Sequence, residues 1–245
     1  MKSVKFMGID GCPAGWFCIE LTGRSLWQTT VAVDTAELLA TVSDEQLVLI
    51  DMPIGLLENG GPQRLCDRQA RQLLGRPRAS SVFPVPTRPA IYAASYKAAQ
   101  AINRQRVGQG LSQQAWNIAP KMRQLDQLLQ NTPAMRKRIR ESHPEVCFWS
   151  LNGKRAMRFN KKQPQGFVER ITLLQKYSSA TKEIVDSALE QYPRKQLAKD
   201  DILDALVLAI SASFGANALK TIPAQPPVDP RGIRMEMVYA DPESG

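Results

Sequence analysis

Histidine is almost missing from this chain: His143 is the only one in 245 residues. There are four cysteines, Cys12, Cys18, Cys66 and Cys147, and no two of them form a C-x-x-C pair. That combination argues against a structural zinc site, which needs four Cys or His ligands at short spacings. It leaves the cysteines as reduced, buried, small hydrophobes. A G-x-S-x-G elbow is absent, so a serine hydrolase with a His base is disfavoured. The G-x-x-x-x-G-K-[ST] phosphate loop is absent too. No apolar run approaches the ~20 residues of a membrane span, and Met1-Lys2-Ser3 leads into a strand with no signal-type apolar region. A cytoplasmic protein with no membrane partner is the expectation. No internal repeat or low-complexity tract breaks the chain.

What the chain does have is positive charge, unevenly placed. The formal net charge is +9, and Pro62 to Arg140 alone holds fifteen Lys or Arg against two acids, Asp67 and Asp126. The remainder is therefore mildly acidic. A basic section joined to an acidic one suits a polyanion held against an acidic centre, and it equally suits a solvated basic surface. Hydrophobic content of 43% and charged content of 22% describe a globular chain able to bury a large core.

Apolar patterning predicts a strand over Val4–Ile9 ending at Asp10, a turn at Gly11–Gly15, and strands over Trp16–Leu21 and Leu26–Val33, with a second turn at Thr22–Ser25. Asp34 or Thr35 then caps a short helix, and Leu47–Ile50 is a wholly apolar strand ending at Asp51, as expected of a strand covered on both faces. A basic helix over Gln63–Leu74 places Arg64, Arg68 and Arg71 on one face. Arg76–Pro89, with Arg76, Arg78 and Arg88, reads as a proline-rich loop. Helices are predicted over Ala90–Gln105, Ser112–Gln130 and Pro133–Arg140, making residues 60–140 a basic helical insertion within a single domain, residues 1–245. A fifth strand is predicted over Val146–Leu151, helices over Gln165–Tyr177 and Lys182–Tyr192, and an edge strand within Gly232–Tyr239. Gly153–Lys162 carries five positive charges and no acid.

The most informative stretch is Asp200-Asp201-Ile202-Leu203-Asp204 followed by the apolar run Ala205–Ile210. Asp200 reads as the N-cap of a buried helix, and acids suit the positive end of its dipole. Asp204 lies three and four residues beyond the other two acids, so carboxylates share one face. Simple capping explains an acidic first turn, and Asp10 and Asp51 at strand ends are also ordinary turn starts. A cation would relieve the repulsion if these acids meet.

Several motifs resemble, in order, those of domain-of-unknown-function family 429, described as a predicted ribonuclease H-like nuclease. They are Gly8-Ile9-Asp10-Gly11-Cys12-x-x-Gly15-Trp16, Ile50-Asp51-Met52-Pro53-Ile54-Gly55-Leu56 and Arg64-x-x-Asp67-x-x-Ala70-Arg71. Val82-Phe83-Pro84-x-Pro86, Glu141-x-His143-Pro144-Glu145-x-Cys147-Phe148 and Asp200-Asp201-x-x-Asp204-Ala205-Leu206 follow. Asp201-x-x-Asp204-Ala205-Leu206 is also similar to the final-helix motif of RuvC-type Holliday junction resolvases, although Asp51 stands where those enzymes use Glu. The resemblance implies an α/β fold with a ribonuclease H-like mixed five-stranded sheet, flanked by helices, with a helical insertion after strand 4.

It also implies a nuclease using Mg²⁺ or Mn²⁺, hard cations that prefer oxygen ligands. Two ions would be held by Asp10, Asp51, Asp201 and Asp204, with Asp10 between them. Glu141, His143 and Glu145 form a secondary group, either part of the site with His143 moving protons or a tight entry into the fifth strand. Arg64, Arg68, Arg71, Arg76, Arg78 and Arg88 would grip nucleic-acid phosphates, DNA or RNA. Two alternatives stand beside this: a non-catalytic member binding nucleic acid or protein, and a phosphate enzyme of the sugar-kinase and actin superfamily, whose first phosphate loop Gly8–Gly11 resembles. A homodimer is left open.

Overall fold

The computed structural model describes residues 4–23, 26–43, 46–61 and 63–242. Met1-Lys2-Ser3, together with Arg24 and Ser25 of the second expected turn, lies outside them. The chain runs β1 (Lys5–Cys12), β2 (Gly15–Thr22), β3 (Leu26–Ala32), α1 (Thr35–Thr41) and β4 (Leu47–Asp51). Next come α2 (Leu65–Arg78), α3 (Arg88–Ile91), α4 (Tyr96–Val107) and α5 (Gln113–Asn131). After these lie β5 (Ile139–Glu141), α6 (Pro144–Leu151), α7 (Pro164–Leu174), α8 (Thr181–Gln191) and α9 (Lys199–Ser213), then β6 (Leu219–Ile222) and β7 (Met237–Ala240). None of the described helices is long and apolar enough to cross a membrane. The chain divides into two compact units, one made of Met1–Asp51, Arg138–Lys220 and Val238–Gly245, the other of Met52–Lys137 and Thr221–Met237.

The first unit carries a mixed five-stranded sheet in the order β3-β2-β1-β4-β5. β1, β2 and β3 form an antiparallel meander, while β4 and β5 run parallel to β1. The register sets Asp10 beside Asp51 and Ile50 beside Glu141, so three acids gather at the carboxyl ends of neighbouring parallel strands. Such strand ends are where α/β folds assemble sites.

Helix α9 is buried without a break from Ile202 to Ala212. Burying Ile202, Leu203, Leu206, Val207, Leu208 and Ile210 contributes on the order of 10 kcal/mol, an upper-bound figure. That outweighs the cost of carrying a carboxylate, Asp204, into the same layer. Contact between α9 and β1 is closer than side chains allow. A Cβ added to Gly8 would lie 2.1 Å from the Ala205 carbonyl oxygen and 2.2 Å from the Ala209 nitrogen. Backbone atoms cannot step aside as a flexible side chain can, so only glycine fits here.

Four local expectations are corrected. Val146–Leu151 is not a strand but lies in α6, whose eight residues are all buried. Periodicity cannot separate a short, fully buried helix from a buried strand. Pro144 at the first helical position and His143 as N-cap were the deciding signals. The fifth strand is instead Ile139–Glu141, and the helix expected over Pro133–Arg140 shrinks to a 3-10 turn, Pro133–Lys137. Pairing with β4, where the Val48 N–H donates to the Arg138 carbonyl at 3.0 Å, overrides local propensity. Helix α9 begins one residue before Asp200, with Ala198 as N-cap, because the Asp201 carboxylate accepts the Ala198 N–H at 3.0 Å. The helix expected over Ala90–Gln105 divides into α3 and α4, where Ser95 starts α4 by accepting the Ala98 N–H.

The second unit is organised by buried ion pairs. Arg64, which precedes α2, is 1% exposed, pairs with Asp67 at 2.6 Å and donates to the carbonyls of Ile54 and Gly55. Arg88 pairs with Asp126 at 3.1 Å and Asp229 at 2.5 Å. Asp229 also accepts the Leu56 N–H.

Gly8→Ala is expected to lower stability by about 1–3 kcal/mol, the range for forced overpacking, read as a shifted urea midpoint. An unshifted midpoint would contradict the close approach. Asp67→Ala strands the buried Arg64 charge and should cost about 3–5 kcal/mol in the same assay.

Candidate metal centre

Asp10 lies near the end of β1, where its Oδ1 accepts the Gly11 N–H at 2.6 Å. Asp51 is the last residue of β4 and its parallel neighbour. Asp204 comes from α9, brought against β1 by the Gly8 contact, and is 2% exposed. One carboxylate oxygen from each of the three lies within 4.8 Å of the others. Asp204 Oδ2 accepts a hydrogen bond from Lys161 Nζ at 2.5 Å, while its Oδ1 is buried with no hydrogen-bond partner. A buried carboxylate oxygen without a donor is costly. Converging oxygens of this kind suit a hard divalent cation such as Mg²⁺ or Mn²⁺, so the residues fit such an ion.

The electrostatics agree. Burial, then the charges of Asp51 and Asp204, holds the Asp10 carboxyl well above the usual range. Asp51 is pushed up to about 8, first by burial and then by Asp204, with Glu141 adding to it. Asp201 rises to about 6 through burial, against the opposing Ala198 N–H bond. Burial works against the Lys161 ammonium, yet Asp204 and Asp10 outweigh it and hold its pKa above the ordinary value. Asp10 and Asp51 are raised by neighbouring carboxylates as well as by burial, as expected of acids sharing one low-dielectric site.

Asp10, Asp51 and Asp204 are thus drawn together, and Asp201 and Glu141 act on them through charge. Glu141 is buried at the end of β5. His143 and Glu145 belong to the start of α6: the His143 Nδ1 accepts the Glu145 N–H at 3.2 Å, and Glu145 pairs with the buried Arg170. Among the basic residues of the second unit, Arg64 and Arg88 are buried and committed to carboxylates. Arg71 donates to the Val82 carbonyl and to Gln63. Arg68 and Arg76 are exposed and Arg78 is half-buried. Lys161 was not singled out from sequence, where the signal was only the basic run Gly153–Lys162.

The sheet order and the acid cluster define the class: an α/β fold of ribonuclease H-like type with a buried carboxylate centre compatible with a divalent metal. More particularly, the chain belongs to the family described as protein of unknown function (DUF429), whose pattern matches residues 8–228. No curated protein and no solved structure matches the chain.

Without metal, stability should fall as pH rises from about 4 toward 8. A carboxyl whose folded pKa is raised favours the folded state while protonated, and that advantage is lost as pH climbs through the folded value, about 8 for Asp51 and about 6 for Asp201. Thermal melts of metal-free protein across that range measure it. Asp51→Asn should flatten the curve and melt above wild type at pH 8, whereas a wild-type melt that rises with pH would contradict the crowded-acid site.

Proposed function

We propose that this protein is a divalent-metal-dependent nuclease that hydrolyses phosphodiester bonds of nucleic acid. The observation that carries the proposal is the meeting of Asp10, Asp51 and Asp204, with a buried, unpartnered oxygen on Asp204. These three would hold the ion, and Asp201 and Glu141 keep the surrounding field negative. A divalent ion in such a site makes water acidic at neutral pH and offsets charge developing on phosphoryl oxygens.

Basic and aromatic groups around the Lys161 segment support a polyanionic substrate with bases. Arg155, Arg158 and Lys162 are exposed, and the Arg158 guanidinium sits 5.5 Å from the ring centroid of Phe159, itself 37% exposed. Cations beside an open aromatic face suit phosphates and a stacked base. In the second unit Arg68 and Arg76 are available for phosphates, whereas Arg64 and Arg88 contribute by holding that unit together.

The test is a cleavage screen in Mn²⁺ or Mg²⁺ over single-stranded, duplex, hybrid and branched DNA and RNA. Asp10→Asn, Asp51→Asn and Asp204→Asn should fold and lose about a hundredfold or more of the rate, several kcal/mol of charge stabilisation. Full activity in Asp51→Asn would sink the mechanism.

A further inference from the structure

Four aspartates holding two divalent ions is the arrangement the sequence motifs suggest, and Lys161 changes that count. Its ammonium lies 2.5 Å from Asp204 Oδ2 and 3.5 Å from Asp200 Oδ2. A second ion on Asp204 and Asp201 would have to stand at the Asp204 Oδ2 that the ammonium already occupies, and two cations cannot fill one position.

Lys161 is not a mobile surface lysine that happens to reach the acids. Its segment is built. Glu169 accepts the N–H groups of both Arg158 and Phe159, at 2.9 and 3.1 Å. Asn160 Oδ1 accepts the Lys162 N–H, and the Asn160 carbonyl accepts the Gln163 N–H. The Arg170 guanidinium, buried, donates to the Phe159 carbonyl. Helix α7 presses on the segment so closely that a Cβ on Gly166 would lie 2.0 Å from the Asn160 carbonyl oxygen. Contacts on both sides of Lys161 therefore aim its side chain at the acids.

We infer that Lys161 is the resident second cation of this centre, standing on Asp204 Oδ2 and Asp200 where a second divalent ion would otherwise bind. The centre then takes one divalent ion, on Asp10, Asp51 and Asp204. This inference rests on the metal-centre reading above. One divalent ion and one ammonium supply three positive charges against Asp10, Asp51 and Asp204, while Asp200, Asp201 and Glu141 leave the surroundings acidic. The ammonium has three donors, of which Asp204 and Asp200 engage two, so one is left for a phosphate oxygen of the substrate.

The test is a calorimetric Mn²⁺ titration in nucleotide-free buffer of wild type, Lys161→Met, Lys161→Arg and Asp51→Asn. Wild type and Lys161→Arg should bind one ion per chain, Lys161→Met two, and Asp51→Asn should lose binding. Thermal melts in chelator and in Mn²⁺ are the second readout: Lys161→Met should melt below wild type without metal and gain more from Mn²⁺, since each ion bound only by the folded state adds its own stabilisation, which grows with the logarithm of its concentration over Kd. Two ions in wild type, or the same isotherm in wild type and Lys161→Met, would overturn the role of Lys161 while leaving the metal centre standing. No Mn²⁺ binding by any of the four would overturn both. Should Lys161→Met fold only when Mn²⁺ is present, the exchange of one cation for another is supported, and failure to fold even with Mn²⁺ would count against it.

Discussion

The centre depends on a missing side chain. Gly8 lets the backbone of α9 lie against β1 at a separation no Cβ would permit, with Ala205 and Ala209 as the atoms in contact. That approach fixes how far Asp204 stands from Asp10 and Asp51. A helix held a few ångströms further out would bury the same leucines and isoleucines less well and leave the three carboxylates too far apart to share an ion.

The acids themselves are unfavourable to the fold. Asp10, Asp51 and Asp204 repel one another in surroundings that disfavour charge. The structure tolerates them because the apolar burial along α9 is larger, and because Lys161 already offsets part of the negative charge. A site held in place by its hydrophobic surroundings, rather than by its own contacts, is free to be electrostatically strained. Strain of that kind is what gives a divalent cation something to relieve.

Ion pairs in the second unit play the opposite part. Arg64 and Arg88 look, in sequence, like their neighbours Arg68 and Arg76, yet they are buried and hydrogen-bonded to carboxylates and carbonyls. Their planar, multi-donor heads tie together segments that are distant in the chain, with Asp229 reaching both Arg88 and the Leu56 N–H. Counting arginines therefore overstates how much positive charge is available to a ligand.

Much of this was legible from residue order. The β-meander, the apolar fourth strand, the acidic ends at Asp10 and Asp51 and the buried final helix all follow from local patterning, because hydrophobic period and turn residues act over a few positions. The helical nature of Val146–Leu151, the strand at Ile139–Glu141 and the start of α9 at Lys199 did not, since burial on every side erases periodicity and strand pairing overrides propensity. The sequence by itself determined which carboxylates stand at strand ends and which helix is buried. Only the tertiary structure decided that Asp204 meets Asp10 and Asp51, that His143 and Glu145 serve the start of α6, and that Lys161 reaches the acids from 43 residues away. Those outcomes turn on distances between segments remote in the chain, which backbone packing at Gly8 and Gly166 sets and no local pattern records.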